Sequence, residues 1–408
     1  MAYERPAMVR LAVTCLVLVS ACDRSATPPI IDRAPALVAL DPPSARGATS
    51  PNLVATANGA LLTWLEPTEG KAHRLRFARF TGGAWSTATT ITEGADLIAN
   101  WADVPSIAQQ QDGVLVASWA EKVPAPAAHA YDVVLARSVD RGATWKRLGS
   151  PHHDGTATEH GFVSLVPAAA STLVVWLDGR ATVAPAGATM LRAASVAEAI
   201  GDEQVVDDRV CDCCSTAAAA TAEGAVTVFR DRSEEEVRDP SIARNVKGAW
   251  SSRPVHVDGW TIAGCPVNGP AIAASGYDVA VAWYTVAGQR STVRVAFSSD
   301  AGASFDCPID VDVPHEARSP VGRVDVVRDG ADALVSWIAA EREDARLVVR
   351  RVSRDGRLGP ELEIARVDAG RDSGFPRIEN VGDELLVTWT DTRAGVLRAV
   401  RIQRAAFK

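Results

Sequence analysis

The sequence predicts an all-β chain forming a single seven-bladed β-propeller of four-stranded blades. The first observation is a strand–turn–strand phrase, closed by an aromatic residue, that recurs along the chain. Its closing residues are Trp64, Trp119, Trp176, Phe229, Trp283, Trp337 and Trp389, spaced 55, 57, 53, 54, 54 and 52 residues apart. A period this steady, built from short strands, marks an array of one supersecondary unit. The second observation is that each repeat divides into four strand patterns, A to D. The third is that the last repeat is one strand short, while a spare strand, Ala36-Leu37-Val38-Ala39-Leu40, precedes the first. Pairing the two closes the ring and hides an open edge. A six-bladed ring with an appendage is the alternative count.

The strands follow in order. Blade one reads as Asn52–Ala57, Leu61–Leu65, Arg74–Phe80 and Trp85–Ile91. Blade two reads as Ser106–Gln110, Val114–Ala120, Val133–Ser138 and Trp145–Leu148. Blade three has Val163–Val166, Leu173–Leu177, Met190–Ser195 and Gln204–Asp207. Blade four has Ala217–Thr221, Val226–Arg230, Pro240–Asn245 and Trp250–Val257. Blade five has Ala271–Ala274, Val279–Tyr284, Val293–Ser298 and Phe305–Val311. Blade six has Arg323–Val327, Leu334–Ile338, Leu347–Val352 and Leu362–Val367. Blade seven has Arg377–Asn380, Leu385–Thr390 and Leu397–Gln403. The B strands are nearly continuous in Val, Leu and Ala, the pattern of strands covered on both faces.

With 47% hydrophobic residues, the 408-residue chain can fill large cores. Its formal charge of -8 and lack of basic runs give no electrostatic footprint for nucleic acid. Residues 1–21 read as a signal peptide: Arg5 and Arg10 flank the apolar run Leu11–Val19, too short to span a bilayer as a mature helix. The run ends Val19-Ser20-Ala21-Cys22, which resembles a bacterial lipobox. The resemblance implies cleavage before Cys22, lipidation of that residue, and a place in the cell envelope on the periplasmic side or the surface. Residues 22–34, rich in Pro, Ser, Thr and charge, read as a tether, and residues 35–408 as the propeller. The lipid is then the only contact with the membrane.

Ser138-Val139-Asp140-Arg141-Gly142-Ala143-Thr144-Trp145 and Ser298-Ser299-Asp300-Ala301-Gly302-Ala303-Ser304-Phe305 share the pattern S-x-D-x-G-x-[ST]-[WF]. Ser353-Arg354-Asp355-Gly356 is a weaker echo. Physically this is a C–D hairpin whose Asp accepts from turn amides, whose Gly takes a positive φ and whose aromatic packs beneath. The pattern resembles the Asp-box, or BNR, repeat of the sialidase superfamily. In that family the box is structural and lies away from the active face.

In a propeller the D-to-A links and B-to-C loops gather at one mouth of the central channel. Before the A strands stand Trp101-Ala102-Asp103, Glu159-His160-Gly161, Cys211-Asp212-Cys213-Cys214 and Gly264-Cys265-Pro266. After the B strands stand Asp178-Gly179-Arg180, Arg230-Asp231-Arg232, Tyr284-Thr285, Glu341-Arg342 and Asp391-Thr392-Arg393. Arg groups clamp carboxylates bidentately. The sialidase resemblance implies an arginine clamp on a substrate carboxylate, an acid/base Asp and a Tyr activated by Glu. The matching candidates are Arg180, Arg232 and Arg393, then Asp178 or Asp231, and Tyr284. The leading expectation is a monomer that binds or hydrolyses an anionic glycan and, if an enzyme, acts as an exo-sialidase-like hydrolase. The competing reading is that each Asp–Arg pair braces its own loop.

The cysteines support a second reading. Four of them, Cys211, Cys213, Cys214 and Cys265, sit in the links before blades four and five. Outside the cytoplasm disulfides are the default, so a bond from Cys265 to the C-D-C-C segment, or a vicinal Cys213–Cys214 bond, is expected. No cofactor is expected otherwise; thiolates with His160 form the alternative, a soft-metal site or a redox site. His152-His153 reads as a surface loop, and Glu234-Glu235-Glu236 as a solvated charge run. A scaffold without catalysis is the third reading.

Overall fold

The structure is a computed structural model, and it describes residues 36–124, 130–313, 318–341 and 344–407. Cys22, the signal peptide, the tether, His129, His315 and Arg342 lie outside the described residues. Seven antiparallel sheets form, each from one repeat. The spare N-terminal strand, Val38–Ala39, pairs with Val396–Gln403 in the register Val38↔Arg401 and Ala39↔Val400, closing blade seven as the pattern requires. Blade one departs from the four-strand pattern. Its D position is split into Ala84–Trp85 and Thr89–Gly94, both paired with His73–Thr81.

The closing aromatics explain the repeat. Trp64 packs with Leu386 and Leu397 between blades seven and one, and Trp119 packs with Leu61 and Phe77 between one and two. Trp176, Phe229, Trp283, Trp337 and Trp389 each occupy the next interface round the ring. Each blade thus inserts one large ring toward its predecessor, and all are buried. Losing such a ring costs about 3–5 kcal/mol in a packed core.

The two S-x-D-x-G hairpins form as their chemistry demands. Asp140 Oδ1 accepts from Ser138 Oγ at 2.8 Å and from Thr144 N at 2.9 Å. Asp300 Oδ1 accepts from Ser298 Oγ at 2.7 Å and from Ser304 N at 2.8 Å. Gly142 has φ +92°, and a Cβ there would come within 2.3 Å of Phe77 in the preceding blade. Glycine is needed both for the left-handed turn and for this close approach.

The A strands line the channel and are rich in alanine, from Ala217–Thr221 to Ala271–Ser275. Three of them bulge where they start. The register shifts between Thr49 and Asn52, Gly161 and Ser164, and Gly322 and Asp325. Ser50, Phe162 and Arg323 sit at these bulges with φ of 58°, 55° and 55°. Bulges with unusual backbone re-aim side chains, and they cluster at functional sites.

Candidate functional site

The D-to-A link before blade two and the start of its strand C (Tyr131–Ser138) meet at the mouth. Tyr131 donates its hydroxyl to Glu159 Oε1 at 2.6 Å. Asp103 faces the same phenol, and its Oδ1 accepts from the bulged Phe162 N–H at 2.9 Å. Burial pushes Asp103 up to about 7, against hydrogen bonds from Phe162 and Tyr131 that favour its charged form. Burial, and the carboxylates of Asp103 and Glu159, raise Tyr131 well above the ordinary phenol range. Gly161 must be glycine here, because a Cβ would lie 2.1 Å from Asp103 Oδ2. Asn268 repeats the arrangement at blades five and six, where its Oδ1 accepts from the bulged Arg323 N–H at 2.7 Å.

Tyr131 lines a cavity of about 480 Å³ together with Ser50, Asn100, Trp101 and Asp372. Trp101 stacks on Phe375 with centroids 5.8 Å apart. Two guanidiniums lie over the same indole, Arg323 at 5.2 Å and Arg371 at 5.9 Å. Arg323 is buried and donates to Ser373 Oγ and to the Ala369 carbonyl. Burial lowers its pKa to about 10. Arg371 is exposed and makes no ion pair among the described residues. Neither cation, one from blade six and one from the link before blade seven, is ion-paired to a carboxylate among the described residues.

The arginines singled out from sequence are placed differently. Arg180 is forked onto Asp178, with Nε–Oδ1 and Nη2–Oδ2 both 2.7 Å, and onto Glu203 with bonds of 2.9 and 2.6 Å. Asp178 is fully buried and also accepts from the Trp176 indole at 2.9 Å, so the Asp178–Arg180 pair braces the closing aromatic of blade three. Arg232 binds Glu236 at 2.8 Å, and Asp231 caps its backbone N–H. Arg393 pairs with Asp344 at 2.7 Å on the surface. Carboxylate partners occupy the forks of Arg180 and Arg232, Arg393 spends one nitrogen on Asp344, and no contact joins the three among the described residues. Tyr284 packs edge-on against Trp260 at 5.8 Å, and burial raises its pKa. No carboxylate is bonded to its hydroxyl among the described residues. The arginine at the heart of blade four is Arg230. It is 1% exposed, donates to the carbonyls of Asn268, Arg238 and Tyr284, and lies 4.8 Å from the Trp260 ring.

His160 does not join the cysteines. It stacks on His152 with centroids 3.8 Å apart, surrounded by Asp132, Asp154 and Asp178. His152 is therefore buried, not part of a surface loop, because the link folds inward to seat it under Trp176. Burial works against protonation of His160, but the Asp132, Asp178 and Asp154 carboxylates prevail and raise its pKa.

The expected disulfides in the C-D-C-C segment do not form. Cys211, Cys213, Cys214 and Cys265 are free thiols, while Cys307 is not among the free cysteines. Cys211 Sγ lies 2.8 Å from Cys214 Sγ and 3.9 Å from Cys213 Sγ, and it accepts from Arg238 Nη1 at 3.2 Å. Burial opposes ionisation of Cys211, yet hydrogen bonds from its two neighbours and the nearby Arg230 charge hold its pKa well below the ordinary thiol range.

Sequence reasoning missed the Tyr131–Glu159 pair and the Arg323–Arg371 pair. A signal existed for the first: only four tyrosines occur, and Tyr131 alone opens a strand C at the mouth. No comparable signal marked Arg371, which lies in an irregular link.

No family model matches this sequence, and no curated protein sequence does. Among solved structures, the chain is similar to an ulvan lyase of polysaccharide lyase family PL25 bound to -[GlcA(1-4)Rha3S]-, with TM-score 0.50 and 12% identity over 91% of this chain and 95% of that one. It is also similar to the alpha-L-arabinanase of Penicillium chrysogenum complexed with arabinobiose, with TM-score 0.49 and 14% identity over 91% and 98% of the two chains. The Trypanosoma rangeli sialidase in complex with DANA follows at TM-score 0.46 and 12% identity, over 78% of this chain and 56% of that one. At such identities the likeness is one of fold alone.

Proposed function

We propose that the protein binds and processes an anionic glycan in the mouth cavity, with Tyr131 as the group that meets the reacting bond. The observation that carries this reading is the 2.6 Å Tyr131–Glu159 hydrogen bond at the wall of a 480 Å³ cavity. A tyrosine can replace the usual carboxylate nucleophile in glycoside hydrolysis. In this reading Glu159 takes the phenol proton as Tyr131 attacks the anomeric carbon, and the glycosidic bond breaks as the leaving oxygen takes the proton of Asp103. Water then displaces Tyr131, giving one proton to Asp103 while Glu159 returns its own to the phenolate. Asp103, titrating near 7, keeps a second proton beside the couple. Arg371 and Arg323 supply the positive field for a sugar carboxylate, the part first assigned to Arg180, Arg232 and Arg393. The ulvan lyase of similar fold, with its glucuronate-containing ligand, agrees with this class of ligand.

The test is a panel of oligosaccharides ending in sialate or uronate, with neutral sugars as controls. Tyr131→Phe is expected to lower turnover at least about 100-fold while leaving binding intact. Arg371→Ala is expected to weaken binding about tenfold, equal to about 1.4 kcal/mol. Full activity in Tyr131→Phe, or no binding of any anionic sugar by the native chain, overturns the reading. The proposal includes an envelope location through a lipid on Cys22, supported by the Val19-Ser20-Ala21-Cys22 segment. A Cys22→Ser variant that stays lipidated or membrane-bound would count against it.

One observation favours a second reading, that of a soft-metal site. The sulfurs of Cys211, Cys213 and Cys214 lie within 4.8 Å of one another as free thiols. Thiolates select Cu(I) or Zn(II). Competition of the native protein with a Cu(I) chelator, and loss of copper in Cys213→Ser, would support it.

A further inference from the structure

Between blades two and three, five side chains converge without satisfying one another. His152 ends up there because the link after strand D of blade two turns inward. His160 opens strand A of blade three, and Asp178 closes strand B opposite it in the register. Asp132 is the second residue of strand C in blade two. Asp154 is fixed by Thr156, whose N–H donates to its Oδ1 at 2.9 Å.

The nitrogens stand beyond hydrogen-bond reach of the carboxylates, and because the two rings are stacked 3.8 Å apart and 9° from parallel, one imidazole must turn for both lone pairs to meet on one ion. His160 Nδ1 lies 3.4 Å from Asp132 Oδ1, and His152 Nε2 lies 3.7 Å from the same oxygen. Hydrogen bonds of this type fall at about 2.7–3.2 Å. Donors about 2.0–2.1 Å from a tetrahedral ion stand about 3.4 Å apart. The remaining nitrogens, His160 Nε2 and His152 Nδ1, both lie 3.3 Å from Asp154 Oδ2. Both His160 nitrogens, His152 Nε2 and Asp154 Oδ2 are buried without a hydrogen-bond partner. Leaving such groups unpaired costs about 1–3 kcal/mol each. The charges also fail to balance. Among the described residues the carboxylates of Asp132, Asp154, Asp178 and Glu203 face two guanidiniums, Arg180 and Arg192, and otherwise the two imidazoles, so two negative charges are left for the proton or metal ion that the imidazoles hold.

We propose that His152 Nε2, His160 Nδ1 and Asp132 Oδ1 bind a divalent transition-metal ion of the zinc class, with Asp154 and Asp178 as the carboxylates that orient the two imidazoles. Two imidazoles and one carboxylate form a borderline donor set suited to Zn²⁺ and its neighbours. The second nitrogen of a metal-bound histidine ordinarily faces a carboxylate, as both do here. The Asp132 side chain is 32% exposed, so the fourth position opens to solvent. The ion also ties the strand that begins at Tyr131 to the strand that begins at His160. It therefore steadies the Tyr131–Glu159 pair, although the inference does not rest on the glycan reading.

The test uses the mature full chain with Co²⁺ as a spectroscopic stand-in for Zn²⁺. Nitrogen and oxygen donors give visible d–d bands without the ultraviolet charge-transfer band of thiolates, which separates this site from the cysteine cluster. One equivalent with that signature is expected in a Cys211→Ser, Cys213→Ser, Cys214→Ser, Cys265→Ser background. Asp132→Asn, at a half-exposed position that tolerates the change, is expected to weaken the ion at least tenfold. Asp154→Asn is expected to weaken it about 10–100-fold. If the four-serine chain does not fold, the native chain is compared with His152→Ala; the d–d bands are expected to vanish while any charge-transfer band persists. No sulfur-free equivalent in a folded chain, or unchanged affinity in Asp132→Asn, overturns the proposal.

Discussion

Blades three and four present the same frame with opposite chemistry. In blade three, His160 pairs with Asp178 where strand A meets the end of strand B. In blade four, Val210 bridges Asp231 at the equivalent place, and Cys211 N–H donates to the Arg230 carbonyl at 2.9 Å. The blade-three corner collects imidazoles and carboxylates around unsatisfied nitrogens. The blade-four corner collects thiols beneath Arg230 and Arg238. One corner is short of positive charge and the other is rich in it. The ring supplies equivalent positions, and the side chains placed there decide whether a cation or a thiolate is stabilised.

The sharpest way to break this comparison is to remove Arg230. Its guanidinium satisfies three buried carbonyls, and Arg230→Ala leaves them unpaired. A loss of about 3–5 kcal/mol is expected by denaturant unfolding, because each carbonyl left buried without a donor costs about 1–3 kcal/mol. Arg180→Ala should be comparably costly, because it strips the fully buried Asp178 carboxylate of its cation.

Next in size is a pH effect beside the blade-three corner. Asp103 titrates at about 7 when folded, above its ordinary value of 3.8. The folded chain thus holds a proton that the unfolded chain has released. Stability falls as pH rises from about 4 to 7, by on the order of 4 kcal/mol. Asp103→Asn keeps an acceptor for Phe162 N–H and should flatten that slope in unfolding titrations across the window. Asn268 already fills the matching place before blade five, where no such slope is expected.

A smaller effect sharpens the thiol side. Mild oxidation should link Cys211 to Cys214, already 2.8 Å apart, before any bond to the exposed Cys265. Peptide mass mapping reads the linkage, and a loop this short stabilises by about 2 kcal/mol. A Cys213–Cys265 bond as the first product would contradict the geometry. The smallest effect belongs to Arg393. Its ion pair with Asp344 is exposed, so Arg393→Ala should change stability by under about 1 kcal/mol and leave glycan binding unaltered.

The architecture was legible in the sequence because it is periodic. The closing aromatics, the missing last strand and the spare first strand each have one physical solution, and the structure adopts it. The S-x-D-x-G hairpins were legible for the same reason: every bond in them is local. The site was only half legible. Residues such as Asp103, His160 and Cys211 were placed at the mouth by topology alone. Their partners were not, since Tyr131 and Glu159 lie 28 positions apart and join through neighbouring blades. The Asp178-Gly179-Arg180 segment misled because a local ion pair and a ligand clamp use the same residues.

The sequence by itself determined the number of blades, the closure of the ring and the face on which unusual residues gather. These follow from hydrophobic period and strand count. Only the tertiary structure decided which arginines are occupied, which thiols stay free and which histidines share a carboxylate. Those outcomes depend on distances of a few ångströms between side chains from different blades, and ring geometry sets such distances while no local pattern encodes them.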